Sequence, residues 1–162
     1  MQVPDNAIQQ AQASVEIDAS PDAVWAEVSD ITRMGEWSPE ATGGRWLPRE
    51  DGGLGDGSVG DWFEGNNRVG EREWSRECQV ARAEPGRDFT FVVGGVEENC
   101  TWWSYECEPT ASGTKLTERW WIVNFTPGML GATPEQRQDR FDVTPPMLIA
   151  TVNAVKQAAE NA

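Results

Sequence analysis

Three four-residue connections constrain this chain more than any other feature: Arg68-Val69-Gly70-Glu71, Glu84-Pro85-Gly86-Arg87 and Thr110-Ala111-Ser112-Gly113. Each places glycine, once with proline, between stretches rich in β-branched and aromatic residues, which marks a hairpin. Turns this short cannot hold the crossover that parallel strands need, so the strands they join run antiparallel. The predicted strands are 43–48, 59–67, 72–83, 88–94, 99–108 and 114–124. An earlier strand falls at 12–18, where QASVEID alternates polar and apolar side chains.

Two short helices separate that first strand from the rest. Ser20 followed by Pro21 is a helix start, a side-chain cap and then a residue whose missing N–H costs nothing there. The helix it opens buries Val24, Trp25 and Val28, and Asp30 caps a second one carrying Ile31, Met34 and Trp37, which Pro39 stops. Near the C-terminus the period changes. Leu148, Val152, Val155 and Ala159 step by four, three and four, one stripe of a helix. Pro145-Pro146 fit its first turn with Thr144 as cap, and residues 134–143 form a separate short helix. The fold class is α+β: a seven-stranded curved antiparallel sheet wrapped around a long C-terminal helix, with two short helices after strand 1. With no linker, repeat or low-complexity segment, residues 1–162 read as one domain with its core at about 12–160. A chain near this length buries roughly 70% of its unfolded surface, enough for a sizeable core.

Charge narrows the partners. With 27 acidic and 13 basic residues the net charge is −14, and no Lys/Arg cluster offers the basic face a nucleic acid requires. An anionic membrane surface would repel the chain, and no stretch approaches the ~20 apolar residues of a membrane span. The N-terminus, MQVPDNAIQQ, lacks the basic and then apolar pattern of a secretory signal. The expected location is therefore cytoplasmic. Cys78, Cys100 and Cys107 are odd in number and match no zinc spacing, as reduced thiols would. Histidine is absent, which removes Ser-His-Asp and Cys-His chemistry and most zinc sites. No cofactor and no metal is expected. Gly55-Asp56-Gly57-Ser58-Val59-Gly60 spells G-x-G-x-x-G but runs into a strand rather than a helix, and Asp51 and Asp56 would repel phosphate, so it reads as a flexible loop.

Strand parity locates a candidate site. Phe63, Gly65 and Asn67 share a face, as do Trp74, Arg76, Cys78 and Val80, then Phe89, Phe91 and Val93. Thr101, Trp103, Tyr105 and Cys107 form the next set, then Leu116, Glu118, Trp120 and Ile122. These sets hold most of the aromatic and aliphatic residues and are taken as inward, although Trp102 and Trp121 lie on the opposite face and a bulge would flip the parity. Nine tryptophans exceed what a core of this size needs and suit the lining of a cavity. Three polar residues then point inward: Arg76, Tyr105 and Glu118. They form either a salt bridge closing the barrel, with Arg76 coupled to Glu118, or a polar floor that orients a ligand. Cys78 and Cys107 read as small core residues with no base beside them.

The order strand, two short helices, six strands, long helix is the helix-grip arrangement. The local wording resembles the polyketide cyclase/dehydrase and lipid-transport family of the START-like (SRPBCC) superfamily. Ala19-Ser20-Pro21-Asp22-Ala23-Val24-Trp25 and Trp37-Ser38-Pro39-Glu40 leading into Gly43-Gly44-Arg45-Trp46 carry the likeness. So do Val59-Gly60 before Phe63, Val80 with Glu84-Pro85-Gly86-Arg87 and Phe89, and Gly113-Thr114-Lys115-Leu116-Thr117-Glu118. It covers roughly residues 12–160; Thr126–Asp142, near which the family has its ligand entrance, departs from the simplest pattern. The expected function is binding of a small hydrophobic or aromatic ligand (a lipid, a polyketide or a similar metabolite) in an internal cavity. The candidate ligand-binding residues are Phe63, Trp74, Arg76, Phe89, Phe91, Trp103, Tyr105, Glu118, Trp120, Leu148 and Val152. The alternatives are a cyclase/dehydratase-type enzyme using Tyr105, Glu118 and Arg76, and a helper protein whose partner surface matters more. A homodimer is left open.

Overall fold

The computed structural model describes residues 2–162. In chain order the elements are β1 (Gln9–Ile17), α1 (Pro21–Ser29), a 3₁₀ helix (Ile31–Glu36), β2 (Ala41–Trp46), β3 (Trp62–Val69), β4 (Arg72–Glu84), β5 (Asp88–Val93), β6 (Thr101–Pro109), β7 (Thr114–Ile122), α2 (Pro127–Leu130) and α3 (Pro134–Glu160). The seven strands form one antiparallel sheet in the order β1-β7-β6-β5-β4-β3-β2, so β2 to β7 is a meander and β1 adds beside β7. The two short helices carry the chain from one edge of the sheet to the other. α3 packs against β1, β7 and α1. This is the predicted architecture.

The local signals act where the sequence puts them. The Ser20 hydroxyl accepts from the Ala23 N–H, and Asp30 Oδ1 accepts from the Thr32 N–H, so each short helix has its cap. Gly70 (φ 62°) and Gly86 (φ 73°) turn their hairpins through left-handed backbone. The β6–β7 ladder runs without a slip from Thr101 opposite Ile122 to Pro109 opposite Thr114, so parity holds on the two strands where Trp102 and Trp121 put it in doubt. Those two rings stack on the other face of the sheet, 8° from parallel. The bulges lie elsewhere, between Ala41 and Gly43 in β2 and between Val80 and Arg82 in β4.

The C-terminal segment corrects the sequence reading. Residues 134–160 are one helix, and Pro145 and Pro146 lie inside it rather than at its start. The start is Thr133-Pro134-Glu135-Gln136, a capping box in which the Thr133 side chain accepts from the Gln136 N–H while the Gln136 side chain accepts from the Thr133 N–H. Two prolines remove two backbone donors from the helix interior. Thr144 is no cap: its hydroxyl donates to the Arg140 carbonyl at 2.8 Å, one turn before the prolines. The predicted stripe is correct, because Leu148, Val152, Val155 and Ala159 are all buried.

Candidate functional site

Rows of side chains cross the concave face of the sheet because each ladder sets them directly opposite one another. One row runs Val80, Phe91, Trp103, Trp120 and Ala11; the next runs Ala83, Phe89, Tyr105, Glu118 and Ala13. Between these rows and α3 lies a cavity of about 780 Å³. That is within the usual size of small-molecule sites. Its closed end is formed by Phe63, Cys78, Phe91, Tyr105, Glu118, Trp120, Ile122, Leu148 and Thr151, all buried. Its open end lies between the β3–β4 hairpin and α2 with the start of α3, where the lining residues Val69, Arg72, Arg76, Gly128, Gln136 and Asp139 are exposed.

Nine of the eleven candidate residues line this cavity: Phe63, Trp74, Arg76, Phe91, Trp103, Tyr105, Glu118, Trp120 and Leu148. Phe89 and Val152 belong to the packed core instead. Phe89, in the row with Tyr105, borders a separate hollow of about 250 Å³ with Trp25 and Trp46. The lining also includes Thr101, which parity had turned inward, and Glu40, Arg72, Met129, Arg137, Arg140 and Met147, which the sequence reading missed. Arg137 and Arg140, three residues apart, share a face of α3, a spacing that the short helix predicted over 134–143 already displayed.

The electrostatics centre on Glu118. It is 2% exposed, and its Oε2 has no hydrogen-bond partner among the described residues. Burial pushes its carboxyl up to about 8, against a smaller downward pull from a hydrogen bond with the Tyr105 side chain. At neutral pH it is therefore predominantly a neutral acid. Burial first, then the charge and hydrogen bond of Glu118, raise Tyr105 well above the usual phenol range. The expected coupling of Arg76 to Glu118 is not present. β4 and β7 are separated by β5 and β6, three strand spacings or roughly 14 Å. Arg76 instead turns to the open end, where Nη1 donates to the Ser75 carbonyl and Nη2 lies against Gly128 of α2. Arg140 forms a two-pronged ion pair with Glu40. The Cys78 and Cys107 thiols are pushed up to about 12 by burial, so neither is a ready nucleophile.

The glycine-rich loop is occupied from within. The Asp61 carboxylate accepts from the N–H groups of Asp56, Gly57 and Ser58 and from Nε and Nη2 of Arg49. Oriented backbone amides make an anion-binding concavity, and here the anion is a side chain of the same chain. Among the described residues no three acidic or thiol side chains gather as a metal-ligand set. No described helix is long and apolar enough to cross a membrane.

A sheet that grips a long helix around an internal hollow defines the helix-grip class. Residues 9–148 match the family described as polyketide cyclase/dehydrase and lipid transport, and the chain belongs to that family. It is similar to a polyketide-cyclase-like protein of Corynebacterium glutamicum, with 33% identity, 93% of this chain and 91% of that one covered, and a TM-score of 0.62. It shares its fold with the Zhui aromatase/cyclase of a Streptomyces species (16% identity, 94% of each chain covered, TM-score 0.68). The same fold recurs in the di-domain aromatase/cyclase StfQ of steffimycin biosynthesis (12% identity, 96% of this chain and 52% of that one covered, TM-score 0.71). No protein of curated function matches the chain.

Proposed function

We propose that this protein binds a small hydrophobic or aromatic molecule, of the lipid or polyketide kind, in the cavity between the sheet and α3. The observation that carries the reading is the unpartnered Oε2 of the buried Glu118 at the aromatic closed end. A buried polar atom without a partner costs about 1–3 kcal/mol, and a ligand carbonyl or hydroxyl at Glu118 removes that cost. Phe91, Trp103 and Trp120 supply flat apolar surface beside it. Covering ~300 Å² of apolar ligand surface yields roughly 7 kcal/mol before the costs of association, which places affinity at best in the micromolar range. Three buried cysteines without disulfides suit a reducing, cytoplasmic setting.

A neutral fluorescent probe, 1-N-phenylnaphthylamine, tests the reading. It is expected to bind one to one, quench the tryptophans and be displaced by flat polycyclic phenols. Unchanged binding when Met147→Trp fills the cavity from α3 would place the probe elsewhere and refute the proposal.

A second reading, a cyclase/dehydratase-type enzyme, has one observation in its favour. A carboxylic acid held neutral by apolar surroundings donates a hydrogen bond where enolate charge develops, and Glu118, itself hydrogen-bonded to the Tyr105 side chain, offers such a donor. The likeness in fold to two aromatase/cyclases points the same way. Cyclisation of a linear poly-ketone analogue, abolished by Glu118→Gln with probe binding intact, would favour the enzyme.

A further inference from the structure

The open end of the cavity reverses the charge of the protein that surrounds it. Acidic residues outnumber basic ones by 27 to 13 in the whole chain. The cavity lining instead holds four arginines, Arg72, Arg76, Arg137 and Arg140, against Glu40, Asp139 and the protonated Glu118. Glu40 is consumed by Arg140. Among the described residues eight of the thirteen cations pair with a carboxylate. Of the five that do not, Arg72, Arg76 and Arg137 line this cavity, and only Arg87 and Lys115 lie outside it.

Two of these guanidinium groups converge on one place. Arg76 Nη2 lies against Gly128, and Arg137 Nη1 donates to the carbonyls of Met129 and Ala132, so both border the single turn of α2. Arg137 is further fixed over the Phe125 ring at 5.2 Å, and Arg72 over Trp74 at 4.8 Å. Each guanidinium has five N–H groups, and these contacts use only part of that donor capacity. We infer that the ligand is an amphiphile with an oxyanion head, carboxylate or phosphate. The head is held by Arg76 and Arg137 at α2, and the apolar body reaches inward toward Glu118. The inference rests on the cavity being a ligand site and adds the chemical class of what enters it. The local positive charge also draws an anion past a protein whose overall charge repels it.

The test compares four compounds with the same twelve-carbon tail, each below its micelle concentration, by tryptophan quenching: dodecanoate, dodecyl phosphate, dodecanol and dodecyltrimethylammonium. Charge-assisted contacts predict that at least one anion binds about tenfold or more tighter than the alcohol, with the cation weakest. The tighter anion names the head. The preference falls in the Arg76→Met/Arg137→Met double variant, whose retained dodecanol binding shows that it is folded. In the wild type it also falls between about 20 mM and about 500 mM NaCl, a readout needing no mutation. Equal binding of dodecanol and both anions, or a preference that survives both the double variant and salt, overturns the oxyanion head and leaves the cavity reading standing. Absence of binding by all four compounds and by 1-N-phenylnaphthylamine overturns both.

Discussion

Tyr105 stands directly opposite Glu118 across the β6–β7 ladder, and both side chains are buried in the concave face of the sheet. The floor of the cavity therefore holds two protonated acids and little charge at neutral pH. This sets a pH dependence whose sign is fixed. A carboxyl near 8 in the folded protein and near 4.5 unfolded keeps its proton on folding, so its contribution is fully present below about 4.5. It is lost as pH rises through about 8. Urea unfolding of the wild type is expected to show falling stability from about pH 5 to about pH 9, and Glu118→Gln to remove most of that slope. Parallel slopes for the two proteins would mean that Glu118 is ionised and solvated.

The opposite dependence comes from Asp61. Hydrogen bonds from Arg49 and from the amides of Asp56 and Ser58 hold its carboxyl well below the usual range, against burial. Its contribution is present above about pH 4 and lost in stronger acid. Asp61→Asn leaves donors facing an amide and is expected to cost about 1–3 kcal/mol in urea unfolding at pH 7. Amide hydrogen exchange of residues 56–58 should rise in parallel, since these N–H groups lose their anion.

The α3 start is a third check. Thr133→Ala removes the acceptor for the Gln136 N–H and breaks the capping box, at an expected cost of about 1 kcal/mol in thermal or urea unfolding. A substitution without effect on unfolding would mean that the capping box does not hold the start of α3.

Most of the scaffold was legible because its signals are local. Hairpin glycines, strand parity and the Ser20 and Asp30 caps depend on neighbours within a few residues; parity put eight of the eleven candidate residues on the cavity wall and the helix stripe added Leu148. Two things were not readable that way. Pro145-Pro146 carries a strong helix-start signal, and it split one helix into a short one at 134–143 and a long one after Thr144, although prolines can also lie inside a helix. The partner of Glu118 depends on which strands are adjacent. Inward direction alone matched it with Arg76, whereas the strand order matches it with Tyr105. The G-x-G-x-x-G loop shows the same limit: its filling by Asp61 is a tertiary fact, although the residue follows the motif directly.

The central claim is that the cavity, with Glu118 at its floor, receives an apolar ligand. A crystal structure grown with a hydroxyanthraquinone tests it most directly. The rings are expected between Trp103 and Leu148, with one ligand oxygen about 2.7 Å from Glu118 Oε2. A cavity holding only water, with the compound on the opposite face against the Trp102–Trp121 stack, would contradict the account.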